Sequence, residues 1–226
     1  MAENLKVLSA GAVQPGLSRI AEAFRLQGKA RVEIDFATAP AIAKRVGAGD
    51  LPQIIVAPPD LLESLATTAL SARSVVLGRI GIGVMVRAGA PLPGIATLAE
   101  FLHSLRSAGQ IIYNKASTGI YLDDLFKRLG IANTLEAKTS KYSDFAAVRN
   151  YIANARDNEI GFGATTVIIE NADKGVTYVG PLPAEIQNYT SYAAALTSHG
   201  GDDAAAFLDY LATPAAKAIL RSAGID

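Results

Sequence analysis

Three short clusters of hydroxyl, amide and glycine residues are the chain's best candidates for chemistry. The first is YNKASTG at residues 113–119. Ser117, Thr118 and Gly119 stand at the head of a helical pattern, where backbone N–H groups and the helix dipole favour a carboxylate or another anion. Asn114 shares the loop, and Lys115 adds a cation able to pair with an anion. The ordinary alternatives are an N-cap hydroxyl at Ser117 or Thr118 and a solvated loop lysine. The second cluster is Gly11, Ala12, Val13 and Gln14. A loop of small residues lets a ligand approach the backbone, although a tight strand-to-helix turn needs the same residues. The third is Thr38 with Ala39, again either a ligand hydroxyl or a cap. Pro58 and Phe162 end two further strand patterns and join the candidate ligand-binding set. Tyr113, Tyr142 and Asp144 are the candidate catalytic groups, with Tyr121 a further possible donor to a substrate oxygen. Against them, tyrosines at strand or helix spacing usually serve a core, and Asp144 follows Ser143 where a helix would need a cap.

Composition removes several classes of function. There is no Cys, which excludes disulfides, thiolate metal sites and cysteine nucleophiles. The two histidines, His103 and His199, suit an amphipathic surface and a loop, and neither sits in a triad pattern. No metal and no cofactor is expected. With 21 basic and 21 acidic residues, the formal net charge is zero, unlike a nucleic-acid-binding footprint. No run of about 18 apolar residues is present, so no membrane span is expected. Gly81 and Gly83 lie inside a strand pattern, and no phosphate-binding loop of the form GxxxxGK[ST] exists. The start, MAENLKV, enters a strand pattern without the zones of a signal peptide. As written it suits a cytoplasmic protein, or a periplasmic one whose leader has been removed.

Alternating strand and helix patterns place these loops. Strand patterns at residues 5–9, 31–36 and 52–57 alternate with helix patterns at 15–26, 40–46 and 59–66. That series builds a mainly parallel sheet covered by helices. A longer strand pattern at 79–87 follows, read as a first crossing between lobes. Helices are expected at 97–105, 118–129, 143–155 and 166–171, and strands at 110–113, 159–163 and 176–179. Residues 189–197 read as the return crossing. The last stretch, from Asp203 to Ile225, is a helix, a Thr213-Pro214 break, a second helix and a Gly224 stop.

That last stretch resembles the C-terminus of type II periplasmic solute-binding proteins, through Phe207, Tyr210, Leu211, Thr213, Pro214, Ala216, Lys217 and Gly224. Residues 5–65 are similar to the opening of the molybdate-binding branch, on VLSAGAVQPGL at 7–17, Phe24, FATAPAIAKRVGAG at 36–49 and QIIVA at 53–57. The resemblance implies an α/β type II periplasmic-binding-protein fold, with two doubly wound α/β lobes joined by two crossing strands. The lobes would be residues 1–81 plus 194–226, and 82–193, with the ligand cleft between them. A small-molecule ligand is implied, and a transporter permease as partner if the chain is exported. The oligomeric state is left open.

The departures from that branch carry the information on ligand. Its two anion-binding serines correspond to Ala12 and Ala39, its usual Asp to Gln53, and its later Tyr to Gly163 or Ala164. An oxyanion needs N–H and O–H donors to replace its water. A small organic anion, carboxylate-like, is therefore expected rather than molybdate. Some proteins similar to this branch are isomerases of unsaturated carboxylic acids. The resemblance thus leaves a second expectation, an isomerase or tautomerase moving a proton next to a carboxyl or carbonyl group.

Overall fold

The computed structural model describes residues 4–66 and 69–226. The reading of the start at Met1 falls outside them. The first stretch runs β1 (Leu5–Ala10), a 3-10 turn (Gly11–Val13), α1 (Gln14–Leu26), β2 (Val32–Ala37), α2 (Ala39–Gly47), β3 (Ile54–Ala57) and α3 (Pro59–Leu65). A long strand, β4 (Leu70–Arg87), follows. Then come α4 (Leu98–Ser107), β5 (Ile111–Asn114), α5 (Ser117–Arg128), α6 (Ala132–Glu136) and β6 (Thr139–Tyr142). The middle of the chain ends with α7 (Phe145–Ala153), β7 (Ile160–Ala164), α8 (Thr165–Glu170) and β8 (Val176–Pro181). The chain closes with β9 (Tyr189–Thr197), α9 (Asp202–Leu211) and α10 (Pro214–Ser222). It divides into two compact units, one holding the residues up to Ile80 with Thr190–Asp226, the other Gly81–Tyr189.

In the first unit, β1 lies parallel to both β2 and β3, with Val7 opposite Ile34 and Ile54. β9 runs antiparallel to β3, pairing Leu196 with Ile54. The α1 pattern holds: Leu17, Ile20 and Phe24 are buried, and Phe24 meets Phe207 of α9 edge-on at 5.1 Å. α10 starts as its sequence expects, with the Ala216 N–H donating to Thr213 Oγ1 at 3.2 Å and Pro214 in its first turn. It stops at Gly224, whose φ of 79° is the left-handed region open to glycine. The Ile225 N–H then reaches back to the Leu220 carbonyl at 3.0 Å.

In the second unit the strand order is β4-β7-β5-β6, with β8 pairing β4. β5 is parallel to β6 and β7, while β7 and β8 are antiparallel to β4. Its core gathers Val84, Phe101, Leu105, Leu122, Phe126 and Phe162. Two elements have no counterpart in the sequence reading, the polar strand β6 and the five-residue α6. β4 is also longer than expected, beginning at Leu70 rather than near residue 79.

Candidate functional site

In each unit, the candidate residues fall where a parallel strand gives way to a helix. That is where doubly wound folds present helix N-termini to ligands.

In the first unit, β1 leads into the 3-10 turn that carries Gly11, Ala12 and Val13, and Gln14 opens α1. Gln14 is exposed, whereas Val13 is fully buried. The Val13 side chain belongs to the core, leaving only its backbone for a ligand. β2 leads to Thr38, the N-cap residue of α2, with Ala39 as the first helical residue. Thr38 occupies the capping position in extended conformation, yet its side chain accepts no capping hydrogen bond. Pro58 is the residue before α3, and its carbonyl accepts from the Leu61 and Leu62 N–H groups.

In the second unit, Asn114 ends β5 and is buried, its Oδ1 accepting from the Ala116 N–H at 3.1 Å. Ala116, not Ser117 or Thr118, is the N-cap of α5, and no side chain caps this helix. Ser117 and Thr118 are its first two residues, both half-buried. The capping alternative for these two hydroxyls is therefore not realised. Gly119 follows, wedged against the end of β5. A Cβ there would stand 1.8 Å from the Asn114 carbonyl oxygen, so only glycine lets α5 come this close. Lys115 is exposed, and its N–H donates to the Tyr142 carbonyl at 2.9 Å, tying the β5 and β6 ends together.

The catalytic candidates separate. Tyr113 is 1% exposed, and its hydroxyl donates to Asp123 Oδ1 at 2.7 Å. The Lys141 ammonium pairs with the same carboxylate at 2.7 Å. Burial, and then the hydroxyl's bond to Asp123, push the Tyr113 phenol well above the ordinary tyrosine range. Burial pushes the Asp123 carboxyl up, but Lys141 and the Tyr113 hydroxyl outweigh it and hold the group below its usual value. Tyr113 thus sits inside the unit, with its proton held on the phenol. The raised value means its stabilisation is present below the ordinary phenol pKa of about 10 and is lost as pH rises through the folded value. In an alkaline ultraviolet titration, Tyr113 should contribute a late step, ionising only as the chain unfolds. Tyr113→Phe should remove that late step, and a step unchanged in this variant would contradict the assignment.

Asp144 is exposed and caps α7, accepting from the Ala147 N–H at 2.9 Å and the Ser143 hydroxyl at 2.8 Å. Those two donors lower its pKa. The cap is therefore worth most above the ordinary carboxylate range and is lost as pH falls through and below it. Asp144→Ala should cost about 1 kcal/mol in denaturant unfolding at pH 7. The difference should shrink toward about pH 3; a difference independent of pH would exclude the cap. Tyr142 is half-buried, its ring 5.8 Å from that of Tyr151, and its hydroxyl makes no hydrogen bond among the described residues. Phe162 is fully buried against Phe101 at 6.1 Å, so its side chain packs the unit's interior rather than a ligand.

Thr165 and Thr166 open α8 beyond the end of β7, outside the candidates that the sequence offers, and Thr166 is buried. The helix was expected to begin at 166, and the paired threonines were the available signal. Among α1, α2, α3, α5, α7 and α8, the helices that follow parallel-strand ends, only α7 has a side-chain cap. The other first-turn N–H groups are left to the backbone, to water or to a ligand.

Comparison with known proteins places this geometry. The sequence model of the bacterial extracellular solute-binding proteins matches residues 5–226. The aconitate isomerase of Pseudomonas sp. is 29% identical over 96% of this chain and 85% of its own. The molybdate-binding protein ModA of Escherichia coli is 23% identical over 98% of this chain and 88% of its own. The periplasmic molybdate-binding protein of Azotobacter vinelandii superposes with a TM-score of 0.81 at 21% identity, covering 99% of both chains. No helix among the described residues is long and apolar enough to cross a membrane. The chain belongs to the bacterial extracellular solute-binding protein family, with the type II periplasmic-binding fold of its molybdate-binding-like branch.

Proposed function

We propose that the chain binds a small organic anion carrying more than one carboxylate, and not molybdate. The observation that carries this reading is the state of the hydroxyls at α2 and α5. Thr38, Ser117 and Thr118 stand at helix starts without capping them. Such hydroxyls and the N–H groups beside them are available to a carboxylate. Ala12 and Ala39 stand where the branch's anion-binding serines would be, which removes donors a tetrahedral oxyanion needs. Lys115 supplies a cation for a second carboxylate. In this reading the ligand-binding residues are Gly11, Ala12, Gln14, Thr38, Ala39 and Pro58 in the first unit and Asn114, Ser117, Thr118, Gly119 and Tyr142 in the second. An exported form would serve a membrane permease.

A second reading is favoured by the 29% identity to an aconitate isomerase along nearly the whole chain. An unsaturated tricarboxylate would then be both ligand and substrate. A base removes a proton from the carbon next to the double bond, the charge spreads onto a carboxylate, and a proton returns at another carbon. The open N–H groups of α5 suit the spread charge, and the Tyr142 hydroxyl is free to donate. Asp144, already accepting two hydrogen bonds, is the weaker base for it. Thermal shift across citrate, cis- and trans-aconitate, succinate, sulfate and molybdate tests the ligand class. Proton NMR of the stabilising acid in deuterated water then separates the readings. Deuterium entry or a cis-to-trans change means isomerase, and an unaltered spectrum with binding means carrier. Stabilisation by molybdate alone would defeat both.

A further inference from the structure

Hydrogen bonds that no ligand contact requires connect α5 to the points where the chain leaves the second unit. The chain passes between units at Ile80 to Gly81 and again at Tyr189 to Thr190. Gln187 lies just inside the second passage and Ile82 just inside the first. The Gln187 Nε2 donates to the Ile82 carbonyl at 2.9 Å, and the Ile82 N–H donates to Gln187 Oε1 at 2.9 Å. The same Oε1 accepts from the Asn188 N–H at 2.9 Å. One carboxamide therefore pairs with both backbone groups of Ile82, as a neighbouring strand would. The next residue back, Ile186, accepts from the Tyr121 hydroxyl at 2.7 Å. Tyr121 is one turn along α5 from Ser117, and the Arg128 guanidinium lies over its ring at 5.7 Å. Ile82 is also in register with Ala164, the residue that opens α8.

We propose that Gln187 is a positioning residue for ligand binding: it clamps the two chain passages to each other and, through Ile186 and Tyr121, to the helix that bears Ser117 and Thr118. The proposal rests on α5 being the ligand helix. An apolar side chain at 187 would leave the Ile82 N–H without its partner and remove the carboxamide's tie between the two passages, loosening them where β4 and β9 run side by side. A bent or loosened passage lowers the fraction of molecules ready to bind, which reduces apparent affinity by that fraction.

The chain lacks cysteine, so Ala48→Cys with Lys127→Cys places one spin label on an exposed residue of each unit. Pulsed electron resonance on the ligand-free protein should show a broader distance distribution in Gln187→Leu, and a smaller change in the same direction in Tyr121→Phe. Titration calorimetry with cis-aconitate should show affinity weakened by about tenfold in Gln187→Leu. Circular dichroism verifies that each variant folds, and Tyr121→Phe serves if Gln187→Leu does not. Folded variants with unchanged distances and unchanged affinity would overturn the proposal. If wild type ignores every carboxylate, the ligand reading falls, and the ligand-free distances alone decide the role of Gln187.

Discussion

Gly119→Ala is expected to cost at least about 3 kcal/mol of stability, lowering the melting temperature by roughly 6–12 °C. The added methyl would lie 1.8 Å from the Asn114 carbonyl oxygen and 3.0 Å from the Asn114 carbon and Tyr113 Cδ2. Two of those atoms are backbone of β5, which cannot rotate aside as a side-chain tip can. β5 is held between β6 and β7, so it cannot retreat. The remaining relief is for α5 to slide away from the strand end, carrying Ser117 and Thr118 with it. Differential scanning calorimetry checks the stability. A melting temperature within a degree of wild type would show that the helix does not approach the strand as described.

Ser117→Ala with Thr118→Ala is expected to behave in the opposite way, with stability retained and binding lost. Neither hydroxyl caps α5, so the double variant should melt near wild type. Two lost hydrogen bonds to a carboxylate should weaken binding by about 1–3 kcal/mol, roughly 5- to 150-fold. The pattern separates the two roles of such hydroxyls. A lowered melting temperature with unchanged affinity for cis-aconitate would restore the capping explanation and remove this loop from the site.

The frame of the molecule was legible because its signals are local. The apolar spacing of α1 and the Thr213-Pro214 start and Gly224 stop of α10 each rest on residues adjacent in sequence. β6 was not legible for a related reason. Its residues, TSKY, pair only with β5 and are mostly half-buried, so no apolar alternation marks them. The early part of β4 is likewise exposed over residues 71–74 and carries no strand pattern. Within the candidate site, strand-to-helix alternation located the loops but not the direction of each side chain. Strands covered on both faces read as continuous apolar runs. Tyr113 and Phe162 therefore looked as available as Tyr142, although the fold turns both of them inward. Whether Thr38, Ser117 and Thr118 cap their helices depends on backbone placement to within one residue, which composition does not encode.

Titration calorimetry of the wild-type chain with cis-aconitate and with molybdate, in one buffer at pH 7, weighs the whole reading. Saturable heat with the tricarboxylate and none with molybdate is the expected result. Tight molybdate binding, unaffected by excess cis-aconitate, would contradict it.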